Sequence, residues 1–354
     1  MASTAQIQLP IFDISSTTAA VGKDVLEAAT QYGFLYVNTA SSCFSKEEID
    51  STFKMAKEFF DSPVEEKQEV EIKGDNTGWS AMHRETLDPE NQERGDFKEA
   101  INFGEFKNHK ASQPLPKSLI PHEADIDHFT TLCQKTCDRI LTLLALGLGI
   151  PADWFSSRHD PSKGPSGCTL RFLHYPSIES PDTVGFKHGV DVRAGAHSDY
   201  GSITLLFQRD GQPGLEILTP SDEWAAVPVR PVGAEGGNTG VPPILVNIGD
   251  LLSHWTCGLL KSTVHQVVFP VDGQEGFGSG SDSALRDRYS IVYFCHPVHE
   301  TELISVPSKL VDEQRERGLH GDDKGIVKVQ TAREHLASRL AATYGGSTED
   351  YHRE

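Results

Sequence analysis

Across residues 196–208 the chain reads Ala-His-Ser-Asp-Tyr-Gly-Ser-Ile-Thr-Leu-Leu-Phe-Gln, with an imidazole (His197) and a carboxylate (Asp199) two residues apart at the head of an apolar run. Side chains alternate along an extended strand, so His197 and Asp199 are expected on one face. Two such ligands and one further His make the facial set that holds Fe(II) and leaves coordination positions open. In a chain with 15 His a lone His-x-Asp is weak, and its weight comes from the segments downstream. Lys261-Ser-Thr-Val-His265-Gln-Val-Val offers the third ligand, with Lys261, Thr263, His265 and Val267 alternating onto one strand face. His174, His188 and His254 compete for that place but sit in segments that read as strand ends or loops. Further on, Arg288 and Ser290 share a strand face with Val292 and Phe294. A guanidinium deep in an apolar barrel needs an anion; its fork matches a carboxylate and the Ser290 hydroxyl can add a third bond. The competing readings are an internal salt bridge at Arg288, and Arg286 in its place.

These segments, with others in order, resemble the iron(II)- and 2-oxoglutarate-dependent dioxygenases of the isopenicillin-N-synthase-like family. Leu9-Pro-Ile-Phe-Asp-Ile14 is similar to the family's opening strand, and Tyr32-Gly-Phe-Leu-Tyr-Val37 to its Gly-Phe-Phe-x-Val segment. Phe59-Phe-Asp-Ser-Pro63 with Glu65-Glu-Lys67 matches the end of its second helix, and Gly95-Asp-Phe-Lys-Glu99 its Asp-x-Lys-Glu box. Val246-Asn-Ile-Gly-Asp250, Trp255-Thr256 and Lys261-Ser-Thr-Val-His265 come after them in family order. The resemblance implies a double-stranded β-helix (jelly roll) core and Fe(II) on His197, Asp199 and His265. It also implies 2-oxoglutarate as co-substrate, O2, and ascorbate as a stimulant. The Arg288-x-Ser290 pair would take the C5 carboxylate of 2-oxoglutarate, and Tyr175 would contribute its phenol. In plant-like members an Asn-x-Tyr-Pro segment adds an amide; here the matching stretch is Leu173-His-Tyr-Pro176, so the amide position is Leu173. Arg171, Tyr200, Phe294 and His296 match places where relatives touch the prime substrate. If Arg171 and His296 face the pocket, an aromatic or hydroxylated acid fits best.

Composition sets the outer bounds. Hydrophobic residues make up 37% and charged residues 23% of 354, an ordinary globular balance with ample core. No apolar run reaches the roughly 18 residues of a membrane span, and the first residues lack the basic and apolar regions of a signal peptide. The six cysteines at 43, 133, 137, 168, 257 and 295 form no Cys-x-x-Cys, which fits free thiols in a reducing compartment; cytoplasmic localisation is expected. A net charge of −19 disfavours nucleic acid as a partner. The expected partner is a small-molecule substrate, with no membrane, for a monomer or weak homodimer.

The elements that must position these residues divide in two. Residues 1–165 read as a helical region with one or more strands joining the core sheet. Its helices fall over 22–32, closed by Gly33, from a capping box at Ser45-Lys-Glu-Glu48 with a Phe44–Ile49 staple, and over about 123–148. Residues 166–300 read as the jelly-roll core, with strands over 168–175, 203–207, 215–218, 224–229, 244–252, 262–269 and 288–295. The Gly-rich stretches 231–243 and 271–287 read as loops, the second as an insertion. Residues 301–354 are expected to form a C-terminal helix from Thr331, capped by Glu334 and turning Leu336 and Leu340 inward, and then a tail.

The function these readings support is oxidation of a small organic metabolite by hydroxylation, desaturation or a rearrangement such as ring expansion, in secondary-metabolite biosynthesis. Decarboxylation of 2-oxoglutarate to succinate and CO2 would drive it. The alternatives are an Fe(II) oxidase of the same fold that does not use 2-oxoglutarate and an inactive metal-binding or sensor homologue. A zinc hydrolase would leave Arg288 and Ser290 unexplained and offers no general base.

Overall fold

The computed structural model describes residues 6–187, 189–234, 240–269, 286–318 and 329–344. The first half carries strands β1 (Ile11–Phe12), β2 (Phe34–Val37), β3 (Gly78–Ser80), β4 (Glu99–Phe103), β5 (Phe106–Lys107) and β6 (Lys110–Ala111), with helices α1 (Ala19–Gln31), α2 (Lys46–Phe60), α3 (Val64–Gln68) and α4 (Glu123–Gly147). The second half carries β7 (Thr169–Tyr175), β8 (Ala194–His197), β9 (Ile203–Phe207), β10 (Leu215–Leu218), β11 (Trp224–Ala226), β12 (Ile244–Ile248), α5 (Asp250–Trp255), β13 (His265–Val267) and β14 (Arg288–Cys295), then α6 (Lys309–Gly318) and α7 (Ala332–Tyr344).

Two sheets make the double-stranded β-helix: an eight-stranded one in the order β1-β2-β12-β9-β14-β7-β4-β3 and a four-stranded one in the order β11-β10-β13-β8. Alternation along the central strands separates two cores. Leu170 and Phe172 of β7, with Ile291 and Tyr293 of β14, pack under α2 and α4. Leu173, Tyr175 and Val292 turn the other way, toward Ile217 and Val267 of the small sheet. This is the period-two pattern of strands buried on both faces.

The helices form where their local chemistry directs. At α2 the Ser45 hydroxyl accepts from the Glu48 amide at 3.2 Å while the Ser45 amide donates to Glu48 Oε2 at 2.7 Å, a reciprocal box that satisfies two orphan donors. Ile49, Phe53, Ala56 and Phe60 then face the core. In α4 the expected stripe of Phe129, Cys133, Cys137, Ile140 and Leu144 is buried. Gly33, at φ +69°, turns the chain out of α1 and straight into β2, a conformation that L-residues with a Cβ avoid. The Thr331–Glu334 box at α7 is formed as well.

Several boundaries differ from expectation. The strand read over 244–252 stops at Ile248, and α5 takes residues 250–255, because Leu251 and Leu252 are buried from a helix rather than a strand. The strand read over 262–269 keeps only His265–Val267, with a register shift against β8. The strand over 224–229 ends at Ala226, and α6 has no counterpart among the expected elements. The expected 271–287 insertion, apart from 286–287, and the tail from 345 lie outside the described residues.

Candidate active site

Alternation along one strand is not what brings His197 and Asp199 together. His197 closes β8, and Asp199 lies beyond it in the turn before β9. The turn is tight because Gly201 leaves room: a Cβ there would come within 2.7 Å of the Cys295 carbonyl. His265 opens β13 and lies directly opposite His197 in the β13–β8 pair, so cross-strand register brings the two imidazoles together. Their ring centroids are 4.3 Å apart. Asp199 Oδ1 stands 3.9 Å from His197 Nε2 and 3.8 Å from His265 Nε2, and the three ligand atoms lie within 4.8 Å of one another.

Neighbouring groups aim each ligand. His197 Nδ1 donates to the Gly195 carbonyl at 2.7 Å and His265 Nδ1 to the Thr263 carbonyl at 3.1 Å, which leaves both Nε2 lone pairs facing Asp199. Asp199 Oδ2 accepts from Thr204 Oγ1 and from Asn247 Nδ2, each at 2.7 Å, so Oδ1 is the oxygen turned to the histidines. Burial works against the Asp199 charge, yet His265, His197 and the two hydrogen bonds hold its carboxyl below the usual range. Burial, with His265 beside it, lowers His197 to about 4, so the ring is neutral at pH 7, as a ligand must be. Two imidazoles and one carboxylate with ordered outer partners suit Fe(II).

A cavity of about 780 Å³ runs from these ligands into the barrel and out toward α7. The large sheet supplies its wall in cross-strand rows: Arg288 beside Tyr175, Ser290 beside Leu173, Val292 beside Arg171 and Phe294 beside Thr169. Arg288 is 1% exposed. It donates to the Gln212 carbonyl at 3.2 Å, the Ser290 hydroxyl at 3.3 Å and Gln208 Oε1 at 3.5 Å, and its guanidinium lies 4.9 Å from the Tyr175 ring. No carboxylate among the described residues pairs with it, so they build no internal salt bridge at Arg288. Arg286 does not line the cavity; its carbonyl accepts from Arg193 at 3.2 Å.

Arg171, Tyr200, Phe294 and His296 also line the cavity. Arg171 Nε donates to Asn102 Oδ1 at 2.6 Å, its Nη2 lies 3.4 Å from Glu85 Oε1, and its guanidinium stands 5.6 Å from the Phe294 ring. Burial, with His335 and His159 nearby, lowers His296 to about 3. The rival histidines lie elsewhere: His174 bonds Glu99 at 3.0 Å and the His254 ring lies tilted 5.6 Å from that of His335, while His188 is outside the described residues.

Sequence reasoning missed several groups. Arg193 is wholly buried near Arg288, its Nε and Nη1 unpartnered among the described residues and its guanidinium 4.7 Å from Phe269; burial and Arg288 lower it to about 9. Gln208, Thr204 and Asn247, and the buried Glu85–Lys98–Asp96 cluster, were also unforeseen. The 196–208, Gly95–Glu99 and Val246–Asp250 segments are visible in the sequence and contain Thr204, Gln208, Asp96, Lys98 and Asn247; nothing local marks Arg193 or Glu85.

Comparison with known proteins agrees with this geometry. Residues 9–123 match the family model described as non-haem dioxygenase in morphine synthesis N-terminal, and residues 166–297 match that of the 2OG-Fe(II) oxygenase superfamily. The chain is 36% identical over 348 residues to UPF0676 protein C1494.01 of Schizosaccharomyces pombe, covering 96% of this chain and 94% of that protein. It is 31% identical over 311 residues to the 2-oxoglutarate-dependent dioxygenase ecdK of Aspergillus rugulosus, covering 81% and 85%. The crystal structure of a full-length Neurospora crassa protein in complex with alpha-KG superposes with a TM-score of 0.73 at 27% identity, covering 96% of this chain and 99% of that one.

Proposed function

The chain belongs to the 2OG-Fe(II) oxygenase superfamily as a 2-oxoglutarate-dependent dioxygenase, and from that premise we propose that His197, Asp199 and His265 hold its iron while Arg288, Ser290 and Tyr175 hold its co-substrate. The observation that carries this reading is one cavity that joins a three-ligand cluster to a buried guanidinium without a carboxylate partner among the described residues. When bound, Fe(II) with O2 and 2-oxoglutarate supplies the oxidising equivalents for a substrate C–H bond as the keto acid becomes succinate and CO2.

The residues themselves bind, orient and exclude water. Arg288 grips the C5 carboxylate through its fork, Ser290 adds a hydroxyl, and Tyr175 lies against the guanidinium. Thr204 and Asn247 fix which Asp199 oxygen faces the metal. Leu173, Val292 and Leu206 keep that end of the cavity apolar, which strengthens each charge-assisted bond. The prime substrate occupies the outer part of the cavity, bounded by Arg171, Tyr200, Phe294 and His296. These side chains favour an aromatic or hydroxylated acid, in secondary-metabolite biosynthesis.

We read the chain as residues 1–165, 166–300 and 301–354, and the matches over 9–123 and 166–297 support the first two of these regions. No helix among the described residues is long and apolar enough to cross a membrane. The reading includes a cytoplasmic monomer or weak homodimer, and the net charge of −19 disfavours nucleic-acid partners. The test is an anaerobic-to-aerobic assay of purified protein with Fe(II), ascorbate and 2-oxoglutarate. Succinate should form in step with 2-oxoglutarate loss, and the His197→Ala variant should form none. Succinate formation that survives His197→Ala would overturn the assignment of the ligands.

A further inference from the structure

Leu173 puts an apolar side chain on the cavity wall where an amide could have met the metal-proximal end of 2-oxoglutarate. A cation stands one row away. Lys98 immediately precedes β4, and because Glu99 pairs with His174, register sets Lys98 beside Tyr175, whose other neighbour is Arg288, so the two cations flank β7. On its other side the barrel closes against the approach to β8: the Phe97 amide donates to the Val192 carbonyl at 3.2 Å, and the Gly195 amide to Asp96 Oδ1 at 3.0 Å. Lys98 therefore occupies the seam between the strand bearing Tyr175 and the strand ending in His197, and it lines the cavity.

Its side chain is 4% exposed, with the ammonium 2.7 Å from Asp96 Oδ2 and 3.0 Å from Glu85 Oε2. An ammonium has three N–H donors. Two are used, and no acceptor among the described residues takes the third. Burial opposes the charge, but Asp96 and Glu85 keep the group protonated. With the C5 carboxylate on Arg288, the opposite end of the keto acid must lie toward His197, which is where Lys98 stands.

We propose that Lys98 donates its third N–H to the C1 carboxylate of 2-oxoglutarate, in place of the amide that Leu173 cannot supply. This rests on the reading of the iron ligands and Arg288 given above. A purely structural role, neutralising Glu85 and Asp96, predicts different behaviour.

The experiment is calorimetric titration of the anaerobic, Mn(II)-loaded full-length protein with 2-oxoglutarate and with 4-oxobutanoate, which lacks only the C1 carboxylate. Lys98→Met should weaken 2-oxoglutarate by about 10- to 100-fold, the range of a charge-assisted hydrogen bond, and leave 4-oxobutanoate within about twofold. Because Lys98→Met removes the cation shared by buried Glu85 and Asp96, leaving Glu85 only Arg171 at 3.4 Å, Lys98→Met/Glu85→Gln serves as the charge-balanced variant and should show the same selective loss. Adding Leu173→Asn to Lys98→Met should recover most of the affinity. A loss under about threefold in the charge-balanced variant, an equal loss for both ligands, or no rescue by Leu173→Asn overturns the proposal. The underlying reading is scored separately by Mn(II) affinity and by Arg288→Met; if Mn(II) does not bind, or Arg288→Met binds 2-oxoglutarate like the unaltered protein, both fall.

Discussion

Replacing Arg288 by Met should produce two effects of opposite sign. In the unliganded protein the guanidinium is 1% exposed and, among the described residues, supported by neutral acceptors at 3.2, 3.3 and 3.5 Å and by Tyr175 rather than by a carboxylate. Burial lowers its pKa, the mark of a cation the fold does not fully satisfy without ligand. Removing it should therefore leave the ligand-free protein no less stable, and Tm unchanged or raised. Ligand binding should suffer. A fork-to-carboxylate contact comprises two charge-assisted bonds at about 1.5–3 kcal/mol each, and truncating one member of a buried charge pair costs roughly 2–5 kcal/mol. The two ranges overlap at about 3–5 kcal/mol, or about 100- to 4,000-fold in Kd at 1.4 kcal/mol per decade. Thermal denaturation with and without 2-oxoglutarate, together with calorimetry on Mn(II)-loaded protein, reads both effects. Arg288→Lys keeps the charge but not the fork and should fall between the two. A Kd within about threefold of the starting protein, or a ligand-free variant destabilised by several kcal/mol, would refute the reasoning, since either result means the guanidinium serves the fold.

Other expectations come from the surrounding contacts. Asn247→Leu and Thr204→Val each strip one bond from Asp199 and should lower Mn(II) or Fe(II) affinity by about 10- to 100-fold, measured by competition with a chelator; unchanged affinity would deny them an orienting role. His174 lies between Glu99 at 3.0 Å and Asp287 at 3.2 Å and stacks on Tyr289. Burial opposes its charge, but both carboxylates raise its pKa above 6.5. A raised folded pKa contributes stability that is complete below the unfolded value and lost as pH climbs through the folded one, so His174→Gln should flatten the decline in urea midpoint above about pH 6.5. An identical slope in the variant would remove His174 as its source. Leu336→Ala and Leu340→Ala, on the α7 face that lines the outer cavity, should raise KM for the prime substrate while leaving 2-oxoglutarate affinity within about twofold; a change confined to 2-oxoglutarate would place α7 at the wrong end of the site.

Much of the site is legible in the sequence because its chemistry is written in short, strongly patterned segments. The limits of β14 agree with expectation, since Arg-Tyr-Ser-Ile-Val-Tyr-Phe-Cys alternates cleanly and both faces of that strand are buried. The caps of α2 and α7 are legible for the same reason, their partners lying three residues apart. His197, Asp199, His265, Arg288, Ser290 and Tyr175 all line one cavity, so residue type and order are enough to nominate them. How they converge is not legible. Period two predicts one strand for His197 and Asp199, whereas a strand end, a turn admitted by Gly201 and the pairing of β13 with β8 bring the ligands together.

The linear sequence, then, determined the inventory: which donors exist, which strands and caps are locally favoured, and which kind of ion and acid they suit. Tertiary structure alone decided the pairings across the barrel seam, among them Lys98 with Glu85 and Asp96, Asp199 with Asn247, and an Arg288 left without a carboxylate among the described residues. Periodicity reports only which face a residue takes within its own element. Which partner meets it there depends on sheet order and closure, and those are set by burying the whole core at once.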